Sequence, residues 1–442
     1  MNQQRRPHQR RFERTLLSCA LASCLIWATP AVLAQSTGAT VRGQTAADAR
    51  VTATNVATGF SRSVEAGDSG GYALPGLPPG TYRINIEAGG QTTTRNVTLR
   101  VGETVTLDPE RVAQPAEGAT GELDTVVVVG QQLIETKTSE IATYLSNRQI
   151  EALPQNSRNF LAFADIVPGV VFNVGNEGSS NLRSGAQLSN GINVFIDGVG
   201  QKDYILKGGI TGQDSSRGNP FPQNSIAEYK VITSNYKAEY DQLSSAAVTA
   251  VTQSGTNEFK GSFFWDSSDG EWVSRTIRED KGLDRKADTK DLQYGVAFGG
   301  PILQDRMHFF VSYEAKDRDD ARRVDPGRNL EIEDLPLQFQ DEARSTTNSP
   351  FREDLYFGKI SWTPADDHLL ELSVKRREED ELTSIGGQNL LSSGTLKTGE
   401  ETRVDLRHQY NATNWLNDAH ITFEDSRSRW RRRAARSCCP RT

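Results

Sequence analysis

The chain has 442 residues, a length that accommodates about three domains and excludes a single small module. Hydrophobic residues make up 36% and there are 38 glycines, a composition that excludes a largely disordered chain. The formal net charge of −7 argues against a nucleic-acid binder. Beyond the N-terminus no apolar run approaches the roughly 18 residues of a membrane-spanning helix, so any membrane-spanning structure must be a β-barrel.

The N-terminus has the pattern of a secretory signal peptide. Five arginines and one glutamate lie within residues 1–14, and an apolar stretch follows at 16–28. Small residues then precede a polar one, so we predict a signal peptide at 1–34 with cleavage between Ala34 and Gln35. Cleavage changes the formal charge from −7 to −11, because five Arg and one Glu are lost.

A lipoprotein is the alternative, because Leu21-Ala22-Ser23-Cys24 fits a loose lipobox. A lipidated cysteine usually precedes polar sequence, whereas Leu25-Ile26-Trp27 continue the apolar stretch. After cleavage at 34, only Cys438 and Cys439 are left. An exported chain with no cysteine through its body must be held by burial and β-ladder hydrogen bonds rather than disulfides.

Residues 38–108 alternate short β-branched stretches with turns that contain Gly and Pro. In 82–86, Tyr, Ile and Ile alternate with Arg and Asn, as in a strand with one buried face. Strands at about ten-residue spacing predict a small β-sandwich. The stretch GGYALPGLPPGTYRINIEAGG at 70–90 resembles the carboxypeptidase regulatory-like domain, a transthyretin-type sandwich.

Catalytic and metal-binding motifs are not legible in the sequence. A zinc carboxypeptidase needs two His and a Glu, and the one HxxE motif places His368 and Glu371 in a strand-like alternation. An offset of three puts two strand side chains on opposite faces, so this pair cannot share a metal. Neither a Ser-His-Asp arrangement, a nucleophile elbow, nor a Walker or dinucleotide fingerprint is present. We therefore predict a protein that is not an enzyme and that uses no cofactor or metal.

Residues 109–121 lack apolar periodicity and are predicted to be a flexible linker. The next segment, 122–130, contains four consecutive valines, which by default indicate a buried strand. It also resembles a TonB box, the extended stretch by which TonB-dependent outer-membrane receptors engage the energy-coupling protein TonB. β-branched residues favour extended backbone, and a tethered strand can join a partner's sheet edge through main-chain hydrogen bonds. The implied TonB-binding residues are Asp124, Thr125, Val126, Val127, Val128 and Val129.

Residues 141–255 resemble the plug domain of the same receptor family. The matching landmarks are LPQNSRNF at 153–160, VPGV at 167–170, NLRSG at 181–185, VFIDGV at 194–199 and VTAVTQSG at 248–255. Within the fourth landmark, Asp197 followed by Gly198 fits a tight hairpin turn better than a catalytic acid. A sandwich before the plug is similar to the arrangement in the Oar-like branch of the family.

Residues 256–426 contain stretches in which apolar and polar residues alternate, separated by polar loops. In 307–316, Met, Phe, Val, Tyr and Ala alternate with His, Phe, Ser, Glu and Lys. A lipid-facing barrel with a wet interior requires this pattern, although a soluble half-buried sheet has the same period. The aromatic content, the charged loops and the preceding plug-like segment favour the N-terminal part of an outer-membrane β-barrel.

Residues 427–442 break this pattern, with seven arginines, no acidic residue and no alternation. Such a tail could bind an anionic surface or nucleic acid. The resemblance, however, implies a barrel of 22 strands, and 256–426 has room for seven or eight. We therefore expect that 427–442 is an out-of-frame tail and that the sequence is a fragment of a longer gene. In that case the truncated chain could also lack a function, because its barrel cannot close.

The predicted fold class is mainly β: an N-terminal transthyretin-like β-sandwich, a mixed α/β plug domain and the start of an antiparallel outer-membrane β-barrel. The resemblance implies a receptor of the Gram-negative outer membrane that takes up a scarce ligand. Its implied partners are TonB with its inner-membrane energising complex, outer-membrane lipid and an unknown small ligand, with no nucleic acid. The ligand class is left open among siderophore, oligosaccharide and peptide.

The alternative function is an outer-membrane adhesion or carbohydrate-binding surface protein that uses the sandwich. Such a protein needs an exposed aromatic platform. Tyr72 and Tyr82 alternate with polar neighbours and fit core positions better. The sequence therefore favours the receptor.

Overall fold

A computed structural model describes residues 37–107, 140–153, 157–174, 180–187, 189–202, 210, 216–272, 274, 289–325, 331–344, 346–412 and 415–432. The predicted signal peptide with its cleavage site at Ala34 and Gln35 lies outside these residues. So do the predicted linker, the predicted TonB box at 122–130 and the last ten residues of the predicted tail.

The first seven strands form a two-sheet sandwich within 37–107. They are β1 (Ala39–Gln44), β2 (Arg50–Asn55), β3 (Ser61–Glu65), β4 (Gly71–Leu77), β5 (Gly80–Ala88), β6 (Gln91–Leu99) and β7 (Thr104–Leu107). One sheet has the order β4-β1-β7, and the other has the order β3-β2-β5-β6. Alternate residues of β5 point between the sheets, so that Tyr82 and Ile84 are fully buried while Arg83 is exposed.

Two tyrosines confirm the core assignment in the sandwich. Tyr72 and Tyr82 are only 6% and 0% exposed. The Tyr82 hydroxyl donates to the Pro78 carbonyl at 2.8 Å, which satisfies its buried polar end. Burial raises the pKa of Tyr82. Neither tyrosine offers the exposed aromatic face that a carbohydrate platform needs.

The second region, within 140–255, is called the plug here. Its five-stranded mixed sheet has the order β12-β11-β14-β13-β8, in which β11 and β14 are parallel. A separate hairpin pairs β9 with β10. The strands are β8 (Ile141–Ser146), β9 (Val170–Val174), β10 (Ser180–Ser184), β11 (Ile192–Ile196), β12 (Val199–Gly200), β13 (Ile226–Ser234) and β14 (Ala246–Thr252). The helices are α1 (Asn147–Ala152) and the 3₁₀ turns Phe160–Ile166, Ser189–Gly191 and Gln223–Ser225.

The plug has an apolar core, to which Ala297, Phe310 and Phe357 of the wall also contribute. Every residue of β11 and β14 is buried, as expected for central strands covered on both faces. Phe160 packs edge-on against Tyr229 with ring centroids 5.9 Å apart, and both are fully buried. Asp197 and Gly198 have φ values of 49° and 88° and join β11 to β12, which confirms the predicted hairpin turn.

The third region is a seven-stranded antiparallel sheet, called the wall here, in which each strand pairs with the next one in the chain. Its edge strands are β15 and β21. The strands are β15 (Lys260–Asp269), β16 (Lys290–Leu303), β17 (Met307–Arg323), β18 (Thr346–Trp362), β19 (His368–Thr383), β20 (Thr395–Asn411) and β21 (Leu416–Arg432). The remaining helices are α2 (Leu337–Arg344) and the 3₁₀ turns Gly270–Trp272, Ile332–Asp334 and Leu391–Ser393.

The two ends of the wall strands differ in their connections. At one end, called the short-turn end, the strands are joined by 304–306, 363–367 and 412–415. At the other end the connections are 270–289, 324–345 and 384–394. Short turns at one end and long loops at the other are typical of outer-membrane barrels.

The two faces of the wall carry opposite chemistry, as the alternation predicted. The outward apolar side chains Val311, Leu372 and Phe423 are 46%, 40% and 63% exposed. Their inward neighbours include the buried charged residues Glu314 and Glu371. The outward face is suited to lipid and the inward face to polar contacts.

The last strand extends beyond the predicted end of the barrel region at 426. β21 continues to Arg432, which pairs with Thr395 of β20. Strand pairing uses main-chain groups, so it tolerates an arginine-rich sequence that has lost its alternation. Residues 427–432 of the predicted tail are therefore part of the seventh wall strand. Among the helices in the described part of the chain, none combines the length and apolar composition needed to cross a membrane.

Candidate functional site

The plug lies against the inward face of the wall, and their interface is the candidate functional site. Buried hydrogen bonds and ion pairs join charged wall residues to the plug across this interface. They fall into three groups, around Glu353, around Glu314 and around Asp197.

The first group is centred on the Glu353 carboxylate of β18. The backbone N–H of Asn219 in the plug donates to both of its oxygens, at 2.8 and 2.9 Å. Arg377 of β19 donates its Nε to the same carboxylate at 3.0 Å and its Nη2 to Ser216 Oγ at 2.7 Å. All four residues are buried. A plug loop and two wall strands thus share one charged group.

Arg217 extends this group along the wall. Its Nε lies 2.7 Å from Glu381 and its Nη1 lies 2.7 Å from Asp320, so one guanidinium joins two wall strands. The guanidinium also lies 5.3 Å from the centre of the Phe351 ring. Arginine suits this position because its planar fork can satisfy two carboxylates at once.

The second group joins the plug to β17. Ser225 Oγ lies 2.5 Å from Ser312 Oγ, and the Asn224 N–H donates to Glu314 at 2.7 Å. Arg158 lies 3.6 Å from the Glu314 carboxylate and stacks over Phe264, 3.5 Å from the ring centre. Short polar side chains therefore hold the backbones of plug and wall close together.

The third group is built on Asp197 in the β11–β12 turn. Its carboxylate accepts from the Thr252 N–H at 2.8 Å and from Lys359 Nζ at 3.3 Å. Lys359 also lies 3.1 Å from Glu371, which pairs with Arg407 at 3.0 Å. Asp197 therefore fixes its own turn and also connects the plug to a chain of wall charges.

Apolar contacts also cross the interface, where Ala297, Phe310 and Phe357 of the wall join the apolar core of the plug. Phe221 of the plug packs against Phe357 of β18 with ring centroids 5.0 Å apart. Replacing a buried ion pair by apolar groups is often neutral or stabilising, because each charge loses its hydration on burial. The same charges regain that hydration when the interface opens. Such an interface can be specific without being permanent.

The two residues of the HxxE motif lie on opposite faces of β19, as predicted. The His368 ring stacks on His408 with centroids 5.2 Å apart, whereas Glu371 pairs with Lys359 on the inward face. The described residues contain no group of three or more His, Cys, Asp or Glu side chains placed to hold a metal ion. The predicted TonB-binding residues, Asp124 to Val129, lie outside the described residues.

Sequence reasoning missed the residues that join plug and wall. The dyad pattern identifies Glu314, Glu371 and Arg407 as inward-facing, but it does not say what they contact. Ser216, Arg217 and Asn219 lie in a segment without periodicity, so no sequence signal marks them. The charged residues on the inward face were the available hint, because buried charges require partners.

Two stretches match known domain families. Residues 37–110 match the carboxypeptidase regulatory-like domain, and residues 251–324 match the outer membrane beta barrel domain. The chain is 26% identical over 376 residues to the TonB-dependent transporter Oar of Myxococcus xanthus. This match covers 79% of the chain and 33% of Oar, so the chain spans about a third of the length of that curated relative.

Solved structures similar to this chain include the outer membrane transporter YddB from Escherichia coli, with a TM-score of 0.49 and 12% identity. That match covers 64% of this chain and 38% of YddB. The siderophore receptor PirA from Acinetobacter baumannii has a TM-score of 0.46 and 15% identity, covering 64% of this chain and 40% of PirA.

The matching proteins are transporters and receptors rather than enzymes. The outer membrane barrel match assigns the chain to the outer membrane of a Gram-negative bacterium. Together the two domain matches and the Oar relative confirm that the chain resembles the Oar-like TonB-dependent receptors and carries an N-terminal carboxypeptidase regulatory-like domain.

Proposed function

We propose that the protein takes up a small ligand across the outer membrane, driven by TonB and its inner-membrane energising complex. The observation that carries this proposal is the plug–wall interface. The plug is held against the wall by buried ion pairs and hydrogen bonds, beside an apolar contact with Ala297, Phe310 and Phe357. These contacts can be exchanged for water when the plug is displaced. The protein uses no catalytic step and no cofactor in this function.

The proposal requires two partners, outer-membrane lipid and TonB. Val311, Leu372 and Phe423 on the outward face would contact lipid tails. TonB would bind Asp124–Val129 by strand addition, in which main-chain hydrogen bonds supply most of the affinity. The ligand is a siderophore, an oligosaccharide or a peptide.

Strand addition predicts which changes in the box matter. A proline at Val127 removes one N–H donor and restricts the backbone, so Val127→Pro should abolish binding to the periplasmic domain of TonB. Val127→Thr is the matched control, because it keeps the β-branched shape and the main-chain donor and should leave binding within about threefold of the parent. Calorimetry measures the binding of the periplasmic domain of TonB to the purified protein, which is expressed from the gene that encodes it.

Uptake provides the second readout. Deletion of Asp124–Val129 should abolish energised uptake of the nutrient for which growth depends on this gene, while binding of that nutrient at the cell surface is retained. Unchanged uptake after the deletion would refute the assignment of the box. Equal loss of TonB binding in Val127→Pro and Val127→Thr would refute recognition through the main chain.

A further inference from the structure

The sandwich contacts the wall at its short-turn end. The Asn257 N–H donates to the Ala57 carbonyl of the sandwich at 2.8 Å, and the Asn257 side chain bonds Asp305 in the turn between β16 and β17 at 2.6 Å. On the inward face of the wall, Arg407 donates to Thr37 Oγ1 at 3.2 Å. Leu369 of β19 is part of the apolar core of the sandwich.

The sandwich also contacts the plug through one buried carboxylate. Glu228 of β13 accepts a hydrogen bond from the Val101 N–H of the sandwich at 2.9 Å and is 9% exposed. This bond joins residues 127 positions apart in the chain.

The charged and titratable groups around Glu228 come from each neighbouring element. The sandwich contributes Arg100, which favours the ionised form, and Glu103, which opposes it. On β13 itself, Lys230 favours the ionised form and is paired with Glu140 at 2.8 Å. From β8, the Tyr144 ring lies under both Arg100 and Lys230, at 5.5 and 5.3 Å. Burial outweighs these charges and raises the pKa of Glu228 to about 7.

A cavity of about 240 Å³ lies where sandwich, plug and wall meet. The sandwich lines it with Phe60 and Pro79, the plug with Ser254, and the wall with Lys359 and Arg407. Lys359 and Arg407 belong to the Asp197 group of the plug–wall interface. The cavity is therefore the continuation of that interface toward the short-turn end, and residues of the sandwich form one side of it.

We propose that the sandwich is a lid on the short-turn end of the plug–wall interface, held in place by the bond between Glu228 and Val101. A solute that moves along the interface toward this end meets the sandwich and passes only after the lid undocks. The lid thus binds other parts of the same chain, namely the plug and the wall. The contacts that hold the lid all lie within the part of the chain that the structure describes. The lid proposal therefore depends neither on TonB nor on an identified ligand.

Thiol labelling tests the lid in the whole protein. The four native cysteines are replaced by serine, and Ser254→Cys places a thiol of nearly the same shape in the covered cavity. Thr92→Cys, on the exposed part of β6, provides a freely accessible reference. Membrane fragments open to both sides are treated with a charged maleimide at constant pH. In the parent, Cys at 254 should react at least about tenfold more slowly than Cys at 92, because the lid must open first.

Variants at Glu228 then test whether its bond to Val101 holds the lid in place. Glu228→Ala should accelerate labelling at 254 by about tenfold, the factor expected when a buried N–H donor, here that of Val101, is left without its acceptor. Glu228→Gln keeps an oxygen acceptor of similar shape and should label no more than about threefold faster than the parent. Glu65→Ala, which removes an exposed carboxylate from β3 of the sandwich, is the control and should have no effect.

The proposal is overturned if residues 254 and 92 label equally fast in the parent. It is also overturned if Glu228→Ala leaves the rate unchanged or Glu65→Ala raises it as much. If Glu228→Ala fails to assemble, Val101→Pro removes the donor from the sandwich side and must give the same acceleration. Loss of TonB binding would leave all these rates unaltered, so the lid and the uptake proposal fail separately.

Discussion

The apolar core of the plug and the polar part of its interface with the wall are both buried, yet they are held together by opposite kinds of contact. In the core, Phe160 and Tyr229 pack ring against ring among apolar neighbours. At the interface, Glu353, Arg377 and Asn219 form a charged and hydrogen-bonded cluster. The favourable free energy of burying apolar surface is lost when the surfaces part, whereas charged groups regain their hydration. The difference indicates a plug that stays folded or partly folded while its contacts with the wall change.

Removing the central ring of the core should have the largest effect. Phe160→Ala leaves a cavity among fully buried neighbours and should lower the free energy of unfolding by about 3–5 kcal/mol. Denaturant unfolding of the protein in detergent, followed by tryptophan fluorescence, measures the loss. Phe160→Leu should cost less, because much of the volume is retained. If Phe160→Ala cost under about 1 kcal/mol, the core would not be the stable unit described.

For a buried ion pair we expect a different pattern. Removing one of the two charges should destabilise the protein more than removing both. Lys375 of β19 and Glu401 of β20 are two buried wall residues with Nζ and Oε1 2.7 Å apart, and Lys375 Nζ lies 5.8 Å from the Phe221 ring of the plug. Lys375→Met alone leaves a buried unpaired carboxylate and should cost about 3 kcal/mol. The double variant Lys375→Met/Glu401→Leu should lie within about 1 kcal/mol of the parent. A double variant as unstable as Phe160→Ala would remove the contrast between core and interface.

The smallest effect concerns pH and the junction at Glu228. Its pKa of about 7 lies above the ordinary value of 4.5, so the folded, docked state favours the protonated carboxyl. The docked state is therefore most stable below pH 4.5 and loses stability as pH rises from about 4.5 to 7. The loss should be on the order of 1–2 kcal/mol after allowance for solvent screening.

Hydrogen exchange at the Val101 amide measures this pH effect directly. After correction for intrinsic exchange rates, exchange should become faster as the docked state loses stability. Glu228→Gln does not titrate and should remove the dependence. A steeper dependence in Glu228→Gln than in the parent would assign the effect to another group.

The sequence predicted the elements whose signal is local. The alternation in 82–86 and 307–316 located strands and their buried faces, and Asp197-Gly198 located a turn, because each depends on neighbouring residues. The partners of the inward charges were not predictable. The contact of Asn219 with Glu353 joins residues 134 positions apart, and its donor is a backbone N–H that every residue except proline has. The bond between Glu228 and Val101 escaped prediction for the same reason.

The end of the last strand shows a further limit. Residues 427–432 have no alternation, yet they pair with β20 through the main chain. Side-chain patterns report burial, whereas strand pairing depends on a neighbouring backbone that the pattern does not contain.

A disulfide between plug and wall tests the central claim most directly. Ser225 Oγ and Ser312 Oγ are 2.5 Å apart, close to the separation of two bonded sulfurs, so Ser225→Cys/Ser312→Cys should lock the two regions together. The protein in a supported bilayer is pulled through Asp124–Val129 by a tethered TonB periplasmic domain, and the extension is recorded. We predict that force moves residue 225 away from the wall when the disulfide is reduced, which lengthens the recorded extension, and that the oxidised disulfide prevents this movement. Equal extension in both states, or no extension under reduction, would contradict the account.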